Sequence, residues 1–313
     1  MNAIEVRGLR KTYGDQVVLD GIDLEVATGS VVALLGPNGA GKTTMVHVLT
    51  TLISFDAGEV RVAGHDVRRE PDAVRRAIGL TGQISAVDGQ FTGEENLRLM
   101  ADLHHLGRAA GRARVTELIE RFDLVDVAGK PAMTYSGGLR RRLDLAMTLV
   151  GRPRIIFLDE PTTGLDPRSR RVMWDIVREL VADGVTVFLT TQYLEEADHL
   201  ASRIALLDAG RLVADGTPTE LKRRVPGGRI RLEFDDAAAL DRAAQVLGAR
   251  SLDESALALE LPSDGGVDAL RSLLDRLDAA SIDVDGLSVR PADLDDVFLS
   301  LTGRQDGVEV PTR

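Results

Sequence analysis

Residues 36–44 read Gly36-Pro37-Asn38-Gly39-Ala40-Gly41-Lys42-Thr43-Thr44. They match the pattern G-x-x-x-x-G-K-[ST], a phosphate-binding loop in which glycines let backbone N–H groups point at phosphate oxygens. The apolar run at 31–35 predicts a buried parallel strand before the loop, and residues 44–52 predict a helix after it. A glycine-rich turn that matches by chance would lack this strand-turn-helix context. We therefore expect Lys42 to reach the β and γ phosphates of a nucleotide and Thr43 to bind Mg²⁺.

The composition of the 313 residues is that of a soluble globular protein, with 44% hydrophobic and 28% charged residues. No apolar run approaches the roughly 18 residues of a membrane span, and we expect no signal peptide. The absence of cysteine excludes disulfides, thiolate zinc sites and cysteine nucleophiles, and it favours a cytosolic location. Most of the net charge of −11 lies beyond residue 229, which argues against nucleic acid as the main partner.

The order of predicted elements divides the chain into two domains and a tail. Residues 1–225 predict an α/β core that begins with short antiparallel strands at 4–7, 17–19 and 22–26. Helical periodicity between 94 and 127 predicts an inserted helical subdomain at about 84–150. Pro226-Gly227-Gly228 predicts a linker. Beyond it, alternating strands and helices predict a small α+β domain at 229–303, followed by a tail at 304–313.

Polar residues follow two of the apolar runs that predict buried strands. Asp159 and Glu160 come after the run at 155–158, and Gln192 follows the run at 185–191. Because ligands bind at the carboxyl ends of strands in open α/β sheets, Asp159 would hold Mg²⁺ directly or through water. Glu160 would act as the base for an attacking water. The alternatives are a surface turn at Asp159-Glu160 and a helix cap at Gln192, which could otherwise donate to a γ-phosphate.

Two further stretches could contact a nucleotide, and a third residue predicts a helix start. Tyr13 could stack on adenine or pack locally. Ser136 is a good helix N-cap, and Gly137 and Gly138 would leave its backbone donors open to an anion, although Ser-Gly-Gly alone usually indicates a loop. Asp166 predicts the N-cap of the next helix.

Together and in this order, the motifs resemble the ATP-binding subunit of an ABC transporter over residues 1 to about 222. The resemblance implies ATP and Mg²⁺ as cofactors and a P-loop NTPase core. It assigns the Walker A loop to 36–44, the signature to 136–138, Walker B to Asp159 and the D-loop to Asp166. By the same resemblance, Glu160, Gln192 and Gln83 are catalytic, Thr43, Gln83 and Asp159 bind the metal, and Tyr13 stacks on adenine.

A narrower likeness is to the daunorubicin-resistance type of ATP-binding subunit. It rests on segments 81–83, 135–146, 190–198 and 294–299, and on a C-terminal extension like 229–303. The resemblance implies ATP-driven export of a drug, antibiotic or lipid through a separately encoded membrane permease, at the cytoplasmic face of the membrane. Since the chain has one Walker A loop and one signature, it also implies a head-to-tail homodimer with ATP at the interface.

Two residues depart from the common family pattern. Leu139 stands where the signature usually has Gln, and Gln192 stands where the switch residue is usually His. Glutamine can hydrogen-bond a phosphate but cannot shuttle a proton at neutral pH. We therefore expect Glu160 to act alone as base while Gln192 orients phosphate. The departures keep open an ATP-switch regulatory subunit, and a soluble ABC ATPase acting on ribosomes or DNA is the other alternative.

Overall fold

The computed structural model describes residues 2–223, 228–248, 251–253, 255–263, 267–290 and 293–302. The chain divides into two compact units, Met1–Thr217 and Pro218–Arg313. The boundary therefore falls before a short helix at 218–223, whereas the sequence placed that segment in the first domain. Within the predicted linker, residues 226 and 227 lie outside the described residues, as does the predicted tail at 304–313.

The first unit combines two sheets with helices. Its described strands are β1 (Asn2–Tyr13), β2 (Gln16–Ala27), β3 (Val31–Leu35), β4 (Ala57–Val62), β5 (His65–Asp66), β6 (Ile78–Thr81), β7 (Ile155–Asp159), β8 (Thr186–Thr191), β9 (Arg203–Asp208) and β10 (Arg211–Gly216). Its described helices are α1 (Lys42–Leu49), α2 (Pro71–Ala77), α3 (Gly93–Leu103), α4 (Arg108–Arg121), α5 (Gly137–Thr148), α6 (Pro167–Ala182) and α7 (Leu194–Leu200).

An antiparallel sheet opens the first unit, with strand order β2-β1-β4-β5. The sequence predicted three short strands in this region, and the structure replaces them with the two long strands β1 and β2. Register shifts at several points of the β1–β2 pair absorb the breaks in the apolar alternation. Such irregularities let a strand continue through positions where the two-residue period fails.

The central sheet has strand order β10-β9-β3-β8-β7-β6. All neighbouring pairs from β9 to β6 are parallel, and only the hairpin strand β10 is antiparallel. Every residue of β3, β7 and β8 is buried, which explains why these segments are mostly apolar. The α/β P-loop core predicted from the sequence is confirmed.

Helix boundaries differ from the predicted ones where capping residues act. Helix α1 begins at Lys42, two residues earlier than expected, because Gly41 takes a left-handed N-cap conformation with φ of 109°. It ends at Leu49, and the Thr50 hydroxyl then donates to the carbonyl oxygen of Val46 at 2.7 Å. The predicted helical subdomain contains α3, α4 and α5, and α3 starts with a capping box between Thr92 and Glu95.

The second unit is a small α+β domain, as predicted. It contains α8 (Pro218–Arg223), β11 (Arg229–Glu233), α9 (Ala237–Leu247), β12 (Ser251–Asp253), β13 (Ala258–Pro262), α10 (Val267–Ala279), β14 (Gly286–Arg290) and α11 (Leu294–Thr302). The strands form an antiparallel sheet in the order β12-β13-β11-β14, of which β12 was not predicted. Ile230, Leu232, Leu240, Leu259 and Leu277 belong to its apolar core. Among the described residues of both units, no helix has the length and apolar character needed to cross a bilayer.

Glu196 on α7 is a fully buried carboxyl within the first unit. The indole Nε1 of Trp174 on α6 donates to its Oε1 at 3.1 Å. Burial raises the pKa of Glu196, while the hydrogen bond from Trp174 acts in the opposite direction. Relative to the unfolded state, the folded state therefore favours the protonated carboxyl of Glu196. The hydrogen bond from Trp174 connects α7 to α6.

We expect Glu196→Gln to alter the pH dependence of stability. A raised pKa means that folded wild-type protein binds more protons than unfolded protein above the ordinary value of 4.5. Its free energy of unfolding therefore falls as pH rises from that value through the folded pKa. The glutamine variant lacks this loss, so its melting temperature relative to wild type should increase across that range.

Thermal unfolding followed from pH 4.5 to 8 measures this difference. Glu195→Gln is the matched control, because the Glu195 side chain is 67% exposed. A melting-temperature difference between Glu196→Gln and wild type that stays constant with pH would contradict the assignment.

Candidate functional site

The predicted phosphate loop connects β3 to α1. Gly39 and Gly41 have φ of 83° and 109°, in the left-handed region that glycine adopts without strain. Gly36 N donates to the carbonyl oxygen of Thr191 at 3.3 Å, so the loop is anchored where β3 ends beside β8. The loop thus lies at the N-terminus of α1, where backbone donors and the helix dipole favour an anion.

Lys42 supplies a buried positive charge within this loop. Its side chain is 5% exposed, and its Nζ donates to the carbonyl oxygens of Gly36 at 2.9 Å and Pro37 at 3.1 Å. The same Nζ lies 3.5 Å from Oε1 of Glu160. Because buried charges must be paired, this arrangement keeps Lys42 and Glu160 together as an ion pair. The structure therefore brings together two residues that the sequence predicted for one site.

The end of β7 carries the two predicted carboxylates. Asp159 is 2% exposed, and its Oδ1 accepts a hydrogen bond from the Thr190 hydroxyl at 2.5 Å. Glu160 N donates to both the carbonyl oxygen and the hydroxyl of Thr190, each at 3.1 Å. Thr190 thus orients both carboxylate-bearing residues from the neighbouring strand β8. Sequence reasoning missed this role, because Thr190 was interpreted only as part of an apolar strand.

Glu160 itself has an unusual backbone. Its φ is 48°, in the left-handed region, although it is not a glycine. Its side chain is 9% exposed, and Oε2 accepts from the Thr163 hydroxyl at 3.2 Å. The Glu160 carboxylate is therefore held between Lys42 and Thr163 rather than extended into solvent.

The remaining predicted residues of this region also follow strands of the central sheet. Gln83 is exposed in the loop after β6, and Gln192 is half-buried directly after β8. Since β3, β8, β7 and β6 are adjacent and parallel, their carboxyl ends lie along one edge. This edge therefore carries the phosphate loop, both carboxylates and both glutamines, as expected for a ligand site in an open α/β sheet.

A second cluster surrounds the predicted signature. Ser136 caps α5, with its Oγ accepting from Leu139 N at 3.3 Å, and both Ser136 and Gly137 are exposed. A Cβ atom on Gly138 would lie 2.5 Å from the Ser169 hydroxyl oxygen, so glycine permits the close approach of α5 to α6. Ser169 Oγ donates to Asp166 at 2.6 Å. The structure thus places the signature beside Asp166.

Asp166 is confirmed as the N-cap of α6. Its Oδ1 accepts from the backbone N–H groups of Arg168 at 3.0 Å and Ser169 at 2.9 Å. The hydrogen bond from the Ser169 hydroxyl is the main cause that lowers the pKa of Asp166, so the cap is ionised at neutral pH. An ionised carboxylate at a helix N-terminus stabilises the helix through its dipole.

Tyr13 is the last residue of β1, just before the turn at Gly14. Its side chain is 50% exposed, and the Lys11 Nζ lies 4.9 Å from the ring centroid. Half of the tyrosine surface is therefore open to a ligand.

A further residue that sequence reasoning left without a role is Arg141 on α5. Its guanidinium donates to backbone carbonyl groups in the loop after β6 and in the loop after β7, including that of Glu160 at 3.4 Å. The signal in the sequence is the spacing of Arg141 and Asp144, which places opposite charges one helical turn apart. Thr190 offers no comparable signal.

Comparison with known proteins identifies relatives over nearly the whole chain. The family model described as ABC transporter matches residues 19–163. Daunorubicin resistance ATP-binding protein DrrA3 of Streptomyces coeruleorubidus is 52% identical over 96% of each chain. Daunorubicin/doxorubicin resistance ATP-binding protein DrrA of Streptomyces peucetius is 48% identical, over 96% of this chain and 92% of that protein. Nod factor export ATP-binding protein I of Ralstonia nicotianae is 36% identical, over 96% and 94% of the two chains.

Solved structures share the fold over about 70% of this chain. An ATP-binding subunit of an ABC transporter has a TM-score of 0.64 and 28% identity, covering 71% of this chain and 92% of that one. A dimeric ATP-binding cassette in a post-hydrolysis state with ADP and Pi has a TM-score of 0.63 and 26% identity, covering 68% and 98%. The chain belongs to the ABC transporter family, as an ATP-binding and ATP-hydrolysing subunit of the daunorubicin/doxorubicin-resistance type.

Proposed function

We propose that this ATPase energises the export of a drug, antibiotic or lipid by closing as a head-to-tail homodimer around two ATP molecules. The catalytic part of this proposal rests on one contact. Lys42 Nζ lies 3.5 Å from Glu160 Oε1, where the phosphate loop meets the end of β7. A phosphate-binding cation and a base are thus adjacent. The names of the resistance proteins support the exported substrate class.

ATP binds with adenine on Tyr13 and its phosphates on residues 36–44. The backbone N–H groups of the loop and Lys42 bind the β and γ phosphates. Glu160 accepts a proton from a water that attacks the γ-phosphorus in line, and ADP leaves as the bond to its β-phosphate oxygen breaks. Gln192 donates a hydrogen bond to the γ-phosphate but takes no proton.

The oxygen donors at this edge fit Mg²⁺. Thr43 offers a hydroxyl, Asp159 a carboxylate and Gln83 an amide oxygen, and Mg²⁺ prefers oxygen ligands together with substrate phosphates. Thr190 holds the Asp159 carboxylate in a fixed orientation. Bound there, Mg²⁺ would neutralise charge that develops on the phosphate oxygens.

The exposed signature supports the dimer. Ser136 and Gly137 face solvent at the N-terminus of α5, where backbone donors are available to an anion. In a head-to-tail pair, residues 136–138 of one subunit complete the site built on the partner's phosphate loop. Fixed donors of this kind contribute most when closure excludes water. Asp166, beside the signature, would lie at the same interface.

The membrane partner is a separately encoded permease, and the chain would lie at the cytoplasmic face of the membrane through it. Within the helical subdomain and the adjoining Gln83 loop, Ile84, Leu103 and Met133 are exposed apolar side chains, which suit a protein contact. The unit at 229–303 would steady the dimer. A soluble ABC ATPase or an ATP-switch subunit is the alternative, and phosphate release measured with and without the permease separates them.

Glu160→Gln tests the assigned base. The variant keeps side-chain size but cannot accept a proton, so phosphate release should fall by about 10²–10⁴-fold while ATP binding persists. Size-exclusion chromatography with light scattering should detect an ATP-stabilised dimer of the variant. The control is Glu120→Gln, a change on the exposed face of α4. Normal hydrolysis by Glu160→Gln, or no dimer with ATP, would count against the proposal.

Gln192 variants test the switch position. Gln192→Ala should lower the rate of phosphate release by about 10- to 100-fold, because one hydrogen bond to a charged group is worth roughly 1.5–3 kcal/mol. Gln192→His should make hydrolysis depend on pH near 6.5, because histidine titrates there and glutamine does not. Steady-state phosphate release from pH 5.5 to 8.5 measures both effects. A wild-type rate for Gln192→Ala removes the phosphate-orienting role.

A further inference from the structure

Arg141 forms hydrogen bonds with the backbone of the loop that carries the proposed base. Its side chain is 10% exposed, and its Nε donates to the carbonyl oxygen of Pro161 at 2.9 Å. Its Nη2 lies 3.2 Å from the carbonyl oxygen of Asp159 and 3.4 Å from that of Glu160. One guanidinium on α5 thus contacts three successive carbonyl groups, beginning with the last residue of β7.

The same side chain also holds the loop that contains Gln83. Arg141 Nη1 donates to the carbonyl oxygen of Gly82 at 2.9 Å and lies 3.3 Å from Asp144 Oδ2. Asp144 Oδ1 in turn accepts from Ala86 N at 3.3 Å. The Arg141–Asp144 pair therefore contacts both ends of residues 82–86, and burial of both side chains keeps water from competing with these bonds.

We propose that Arg141 is a positioning residue for hydrolysis, which fixes the Glu160 loop against both the Gln83 loop and the signature helix. Arg141 follows the cap Ser136 by five residues, about 7.5 Å along α5. A movement of the signature end of α5 is thus transmitted directly to the backbone of Glu160. The inference rests on the proposed role of Glu160 as base.

The planar guanidinium is required for this geometry. It has five N–H donors in a rigid fork, whereas a lysine ammonium has three donors on one flexible atom. Nε, Nη1 and Nη2 of Arg141 each serve a different carbonyl group or pair of groups. A lysine at this position would keep the charge beside Asp144 but could not reach both loops at once.

The test compares Arg141→Lys with Arg114→Lys in the full-length chain. Arg114 is 8% exposed, pairs with Glu117 three residues later and donates to the Leu149 carbonyl oxygen at 2.7 Å, but lies on α4. We expect Arg141→Lys to lower kcat for phosphate release by about 10–100-fold, the size of effect that misplacement of a reacting group produces. Arg141→Lys should bind ATP with the wild-type dissociation constant. When Arg141→Lys is combined with Glu160→Gln, the ATP-stabilised dimer should form as it does in Glu160→Gln alone. Arg114→Lys should keep the wild-type kcat.

A double variant guards against loss of folding. Replacing both members of a buried ion pair by apolar residues is often neutral for stability, so Arg141→Met combined with Asp144→Leu should fold and bind ATP. It too should lose kcat. Wild-type kcat in Arg141→Lys or in the double variant overturns the proposal, as does an equal kcat loss in Arg114→Lys. Normal hydrolysis by Glu160→Gln would instead overturn the proposed base, so the two failures are distinguishable.

Discussion

The close approach of Gly36 to β9 positions the whole nucleotide site. A Cβ atom on Gly36 would lie 2.2 Å from the carbonyl oxygen of Leu207, and one on Gly41 would lie 2.9 Å from the carbonyl oxygen of Val18. The phosphate loop therefore fits only because these residues have no side chains. The loop lies between the last residues of β9 and strand β2 of the antiparallel sheet. Contacts with both sheets therefore fix the position of the loop, and with it the position of Lys42.

The parallel register of the central sheet links that local constraint to the two carboxylates at the end of β7. Leu35 of β3 pairs with Thr191 of β8, and Thr190 pairs with Asp159 of β7. Fixing the loop after β3 therefore also fixes the carboxylates two strands away. The Lys42–Glu160 contact and the Thr190–Asp159 hydrogen bond follow from this register, and each satisfies a group whose burial would otherwise be costly.

Sequence reasoning found the parts of the site whose physics is local. The loop glycines, the caps Ser136 and Asp166, and polar residues that follow apolar runs are all defined by neighbours in the chain. The merging of the predicted strands at 17–19 and 22–26 into β2 depends on pairing partners, as does the strand β12, and such tertiary choices leave little trace in a short segment. The roles of Thr190 and Arg141 depend on contacts across 31 and up to 59 positions of sequence, respectively. Only the Arg141–Asp144 spacing could have suggested either residue.

The backbone of Glu160 explains why so many distant groups converge on it. A left-handed conformation in a residue other than glycine costs about 1–3 kcal/mol and persists only where surrounding contacts enforce it. Thr190 bonds its N–H, Arg141 bonds its carbonyl oxygen, and Lys42 and Thr163 hold its carboxylate. The Gln192 amide does not titrate near neutral pH, so in the proposed mechanism Glu160 alone would accept the proton of the attacking water. In the proposed mechanism, a strained conformation held by these contacts would fix the direction of the carboxylate before the water reacts, which is the advantage that preorganised groups give to catalysis.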